Sequence, residues 1–248
     1  MGKGPRYDRE IARAVADMVY TNLEPLIALG PDGRPKSSIV GSYRRGLSTC
    51  HDVDFVFIPR DGVSEDEIVR ALGSICDSGQ LEIPSNGWYI GFVRVGDASF
   101  PFNVWTTTAE SWGACLLYST GSRDFNKLFR GIANRRGLTV NETGVRRYSP
   151  VSRGPVSDYI PGAAYSERAV CRTVGVDWIP PSQRTGERGA WIHDEPASDS
   201  VNRVSGKVGP QQPTFPWLTP NTDSEGTGND GPRSPAPSVS HSARRPIQ

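Results

Sequence analysis

The chain has 248 residues, 36% apolar and 22% charged, with 28 Lys and Arg against 27 Asp and Glu and a formal net charge of +1. This length buries a sizeable core in one or two domains, and the near-neutral balance excludes nucleic-acid binding by a bulk positive field, leaving that task to local basic clusters. Cys50, Cys76, Cys115 and Cys171 lie far apart with no CxxC or Cys/His spacing, which argues against a zinc site or disulfide framework and for a reducing, intracellular setting. No run of about 18 apolar residues is present, the first ten residues lack a signal-peptide core, and Arg6 stands where a myristoylation motif needs Ser or Thr. The expectation is a soluble protein with no membrane contact.

In chain order, "DREIARAVADMVYTNLEPLIAL" places Ile11, Val15, Met18, Val19 and Leu23 at helical spacing. "KSSIV" and "DVDFVFIP" are short, β-branched and aromatic, and predict strands. "VSEDEIVRALGSIC" opens with Ser64-x-x-Glu67, the reciprocal cap of a helix start. "WYIGFVRV", the turn residues "GDAS" and "FPFNVWTTT" predict a β-hairpin, and Thr107-x-x-Glu110 reads as the cap of a helix through "SWGACLLYS". "SRDFNKLFRGIANRRG" predicts a helix ending at Gly137, followed by short strands and a helix around "SERAVCRTVG". The order fits an α+β fold, with a small mixed sheet and its flanking helices followed by a smaller α/β lobe. From residue 185 the composition turns to Ser, Pro, Gly and Asn, too poor in apolar residues to repay the entropy of folding. Residues 185–248 are therefore expected to be a disordered tail, broken by the aromatic island "PTFPWLTP", which is suited to docking on the body or on a protein partner.

The stretch "GSYRRGLSTCHDVDF" carries the chemistry. Asp52 and Asp54, two apart on a predicted strand, project from one face, and two carboxylates that close repel unless a cation or proton lies between them. Mg²⁺ favours one or two carboxylates plus substrate phosphate oxygens. Gly41-Ser42 follows a predicted strand, so a turn or helix starting there aims free amides at an anion, with Ser42, Arg44 or Arg45 adding donors. Downstream, Lys127, Arg130 and Asn134 share a helix face suited to a nucleic-acid backbone. Trp105 and Trp112 read as core residues rather than base-stacking platforms.

The pattern Gly-Ser-aromatic-Arg-Arg-Gly, a gap, then Asp-x-Asp resembles the nucleotidyltransferase signature of the family X DNA polymerases, the polymerase beta group. "LLYSTGSRDFNKLFRGIANRRGLTVNE" is similar to that family's Tyr-Phe-Thr-Gly-Ser segment with its following helix and Asn-Glu-Tyr, and "DWIPPSQR" to its aromatic-x-x-Pro-x-x-Arg. The resemblance covers residues 36 to 184 and implies a nucleotidyltransferase palm over 1–115 and a thumb over 116–184. By it, Asp52 and Asp54 hold two Mg²⁺ ions, with Mn²⁺ able to substitute. Gly41, Ser42, Arg45 and the backbone near His51 hold the triphosphate. Tyr118, Thr120 and Gly121 shape the sugar and base pocket, Asn126 reaches the incoming base, and Lys127 and Arg130 contact DNA. The implied activity is two-metal, in-line transfer of a deoxynucleotide to a primer 3′ end on gapped DNA, as in repair, by a monomer.

The family's third metal-binding aspartate falls at Asn103, and no acid occurs between Asp97 and Glu110 to restore it. An asparagine brings no charge and takes no proton from an attacking hydroxyl, and a missing positioned base costs about 10²- to 10⁴-fold in rate. Asp97, six residues away in the predicted turn, is too far along the strand to substitute. His51, Ser119, Arg123 and Thr143 also depart from the family pattern; His51 reads as a strand-end residue. Only about 35 residues precede the palm-like stretch, so no lyase activity is expected of this sequence. Transfer to RNA or a small molecule, and a non-catalytic DNA- or nucleotide-binding module, stand as alternatives.

Overall fold

The computed structural model describes residues 5–77, 81–85, 87–189 and 191–192. The elements are β1 (Tyr7–Asp8), α1 (Arg9–Leu23), β2 (Ser37–Ile39), α2 (Gly41–Arg44), β3 (Thr49–Cys50), β4 (Val53–Phe57), α3 (Glu65–Gly73), β5 (Leu81–Ser85), β6 (Trp88–Val95), β7 (Ala98–Thr106), α4 (Trp112–Thr120), α5 (Arg123–Arg135), β8 (Leu138–Asn141), β9 (Gly144–Ser149), β10 (Gly154–Tyr159) and α6 (Glu167–Val174). The first lobe is built on a five-stranded sheet in the order β2-β4-β7-β6-β5; the β4–β7 pair is parallel and the other pairings are antiparallel. In the second lobe, β10-β9-β8 form an antiparallel sheet flanked by α5 and α6. The α+β class and mixed sheet agree with the sequence reading.

Period-two alternation decides where the functional side chains lie. Val53, Phe55 and Phe57 of β4 and Phe100, Phe102 and Val104 of β7 are buried in one cluster with Ala12, Val15, Val19 and Leu23 of α1 and Ile68 and Leu72 of α3. Their strand neighbours Asp54 and Asn103 must therefore emerge on the opposite face. The parallel register sets Asp54 directly beside Asn103. On that same face Val40, Val56 and Cys115 form a second cluster, with Trp105 and Trp112 packed against it, so both tryptophans serve packing as expected; Trp105 also stacks on Trp88.

α4 is apolar all round because it is clamped between lobes. Cys115 faces the sheet, and Ala114 and Leu117 join the second lobe's core with Phe125, Phe129 and Ile132 of α5. A Cβ on Gly113 would sit 1.9 Å from the Ser166 backbone, so the close crossing at the start of α6 requires glycine there.

The Ser64–Glu67 capping box forms as predicted. The cap expected at Thr107-x-x-Glu110 does not. α4 starts only at Trp112 after Ser111, whose side chain makes no cap hydrogen bond and instead donates to the Thr143 carbonyl at 2.7 Å, tying α4 to the second sheet. Met18, placed on the buried stripe of α1, is 39% exposed, while Ala12 and Ala16 are buried. Within the segment assigned to the tail, the Trp191 ring packs on Phe125 and Ile192 bridges to Val176. The island at 213–220 lies outside the described residues. Among the described residues no helix is long and apolar enough to cross a membrane, and the four cysteines are free thiols.

Candidate active site

Strand β2 runs into α2 through Val40, whose amide donates to the Asp54 carbonyl at 2.7 Å, pinning the Gly-Ser turn against the acidic strand. Gly41 has φ +62°, and a Cβ there would lie 1.8 Å from Asp54 Oδ2. The close approach of turn and carboxylate thus depends on glycine. Gly41→Ala is expected to cost about 1–3 kcal/mol for the backbone conformation alone and to displace Asp54, lowering both melting temperature and any nucleotidyl transfer. A thermal melt beside an activity assay checks it.

Asp52 stands just before β4, in the bend after β3, rather than on the strand as the sequence reading had it. It still faces the site. Asn103 Nδ2 donates to Asp52 Oδ2 at 3.4 Å and to Asp54 Oδ1 at 3.2 Å, so the amide joins the two carboxylates. Burial, followed by the Asp52 charge, pushes the Asp54 carboxyl up to about 8, against the opposing pull of the Asn103 hydrogen bond and Arg45. A cation between the two carboxylates would oppose that rise.

A cleft of about 860 Å³ opens over this pair. It gathers Gly41, Ser42, Arg45, His51, Tyr118, Thr120, Gly121, Asn126, Lys127 and Arg130 of the residues named from sequence, but neither Arg44 nor Asn134. Arg6 and Arg123, which the sequence reading did not place there, complete its basic wall. Arg6 had no local signature; its guanidinium is fixed by Thr49 at 2.6 Å, a contact only the β1–β3 pairing creates. Arg45 is braced by the Thr120 carbonyl at 2.5 Å, and Asn126 Nδ2 donates to the Tyr118 carbonyl at 2.7 Å. Ser42 Oγ and Asn126 Oδ1 are buried without a hydrogen-bond partner. Buried polar atoms of native proteins are nearly always satisfied, so these two mark a place for a ligand's polar groups. His51 sits at the rim with Nδ1 3.1 Å from the Pro5 carbonyl, a strand-end position.

Arg44 does not line the cleft. It forks onto Glu167 of α6 at 2.7 and 3.0 Å and donates to Thr120 Oγ1 at 2.7 Å. Arg184, 2% exposed, donates to the same carboxylate at 2.9 Å, and Trp178 Nε1 at 3.1 Å. This buried clasp holds α2 against the second lobe and fixes the turn that carries Ser42 and Arg45. Sequence reading missed Glu167, because an acid directly after Ser166 at a helix start is an ordinary first-turn residue.

The donor set can be tested against a hard divalent ion. Two carboxylates suit Mg²⁺ or Mn²⁺ whose remaining ligands are phosphate oxygens and water. Among the described residues no group of three His, Cys, Asp or Glu side chains clusters for a metal, because Asn103 fills the third place. The site fits one ion held together with a triphosphate, and the ligand set for a second ion lacks a carboxylate.

Residues 115–185 match the family model described as DNA polymerase beta thumb. DNA polymerase lambda of Rattus norvegicus is 28% identical over 160 residues, which cover 58% of this chain and 28% of that protein. The chain therefore spans little more than a quarter of the relative's length. Together, the thumb match and the likeness to polymerase lambda support a family X polymerase-like protein.

Proposed function

We propose that the protein adds a deoxynucleotide to the 3′ end of a DNA primer, the 3′-hydroxyl attacking the α-phosphate of a deoxynucleoside triphosphate and pyrophosphate leaving, in short-gap, repair-type synthesis, with residues 1–115 as nucleotidyltransferase palm, 116–184 as thumb and the tail as a site for recruiting a protein partner. The observation that carries this reading is the convergence, in one cleft, of the Asp52–Asp54 pair, the unpartnered Ser42 and Asn126 oxygens and a basic wall. Ser42 Oγ donates to a phosphate oxygen, and Arg45, braced on Thr120, presents its remaining N–H groups to the triphosphate. Tyr118 and Gly121 bound the sugar and base, and Asn126 Oδ1 accepts from a base edge. Asp52 and Asp54 hold the divalent ion, which when bound neutralises the phosphates and activates the attacking hydroxyl. Chain positioning supplies most of the remaining rate.

Lys127 and Arg130, both exposed on α5, hold the DNA backbone. Replacing either with Ala is expected to weaken DNA binding and reduce the salt slope of log Kd by about 0.9 for each phosphate no longer neutralised, read from titrations at several salt concentrations. An unchanged slope would remove the residue from the interface.

The test of function is incorporation of one labelled deoxynucleotide into one-nucleotide-gapped DNA in Mg²⁺ and in Mn²⁺. The expected product is a primer longer by one residue. The absence of the third carboxylate at Asn103 favours the other reading, a nucleotide- or DNA-binding module; binding of both ligands without product would establish it.

A further inference from the structure

Asn103 has a consequence for how the cleft holds its nucleotide, resting on the nucleotide-site reading above. Where a carboxylate triad presents only negative charge to a triphosphate, this chain presents an amide whose nitrogen lies within hydrogen-bonding reach of both Asp52 and Asp54. Those contacts occupy carboxylate oxygens that would otherwise repel phosphate. Around them stand Arg6, Arg45, Arg123, Lys127 and Arg130, against only these two acids among the cleft's lining residues. Lys127 is drawn weakly toward Asp124 at 3.7 Å, and Arg45, hydrogen-bonded to the Thr120 carbonyl, shares its charge with Asp54 and Asp52 without an ion-pair contact to either. Ser42 Oγ, buried and without a partner, supplies a hydroxyl for an anion.

We infer that the cleft binds a deoxynucleoside triphosphate without a divalent ion, because the neutral Asn103 amide omits the negative charge a third carboxylate would add and leaves the basic wall to balance the phosphates. Positive charge fixed in the protein then replaces charge carried in by metal. Binding and chemistry are thereby separated: the ion is required for transfer and dispensable for retention of the nucleotide.

The test titrates native protein with a fluorescent, non-hydrolysable α,β-imido deoxynucleoside triphosphate in EDTA and in Mg²⁺, beside Asn103→Asp and Ser42→Ala. The expected native Kd changes by no more than about threefold between the two conditions. Asn103→Asp, which returns a negative charge to the pair, weakens binding in EDTA by about tenfold or more, a difference of ~1.4 kcal/mol, and recovers in Mg²⁺. Ser42→Ala weakens binding in both conditions while leaving the melting temperature unchanged or higher, because it deletes an unsatisfied buried hydroxyl. Native binding that appears only with Mg²⁺ overturns this inference and leaves the proposed function standing. No binding in either condition overturns both.

Discussion

Glu167→Gln is expected to destabilise the fold by about 3–5 kcal/mol, the range for removing one partner of a buried ion pair. The variant leaves Arg184, 2% exposed, without its counter-charge and breaks the fork from Arg44. In a body of this size the loss should lower the melting temperature by roughly 10 °C. Burial alone would raise the Glu167 carboxyl; the Arg184 and Arg44 guanidiniums outweigh burial and hold it down at about 2, against an ordinary 4.5. A carboxylate with a depressed folded-state pKa stabilises above its unfolded pKa and loses that contribution as the pH falls through the folded value. The gap between native and variant should therefore be constant above about pH 4.5 and close as the pH falls toward about 2. Chemical denaturation at several pH values measures it, and a difference under about 1 kcal/mol would deny the clasp a role in stability. Activity should fall too, since Arg44 anchors the turn that carries Ser42 and Arg45.

The second large effect belongs to Asn103→Asp. Restoring a carboxylate beside Asp54 supplies a proton acceptor and a charged ligand, and a positioned base is worth about 10²- to 10⁴-fold in rate. The same change replaces two hydrogen bonds with repulsion from Asp52 and Asp54. The variant should thus melt below native protein in EDTA and be raised by Mg²⁺ or Mn²⁺, because an ion that binds only the folded state stabilises it. Native protein should show a smaller metal-induced rise. Equal rises in both proteins would mean that Asn103 ligates as well as a carboxylate does.

What could be read in the sequence was what local patterns and short-range geometry encode. The strand character of "DVDFVF" and of "FPFNVW" could be read locally, whereas Asn103 was marked as a site position by the family resemblance; the alternation of buried Val53, Phe55, Phe102 and Val104 then accounts for Asp54 and Asn103 on the other face. Glycine at 41, ahead of the arginines, pointed to a tight turn, and the turn proves to need it because Asp54 lies against its Cα. The Glu167 clasp was invisible, since Arg44, Glu167 and Arg184 meet only through the docking of α2, α4 and α6, and no local rule couples positions 123 residues apart. The Thr107–Glu110 motif misled for a related reason. β7 runs through Thr106, and the turn that follows is shaped by its contact with Thr143 rather than by helix capping. Asp52 shows the limit of periodicity: it shares the site with Asp54 although it lies in a bend, where strand alternation does not apply.

The most direct measurement is single-turnover extension of a one-nucleotide-gapped primer by native protein, Asp54→Ala and Asn103→Asp, in Mg²⁺ and in Mn²⁺. A one-nucleotide product from native protein, absent with Asp54→Ala and faster with Asn103→Asp, is the predicted result. Native protein that makes no product with either ion while Asn103→Asp synthesises would contradict it, and would make this cleft a binding site whose chemistry ended with the third carboxylate.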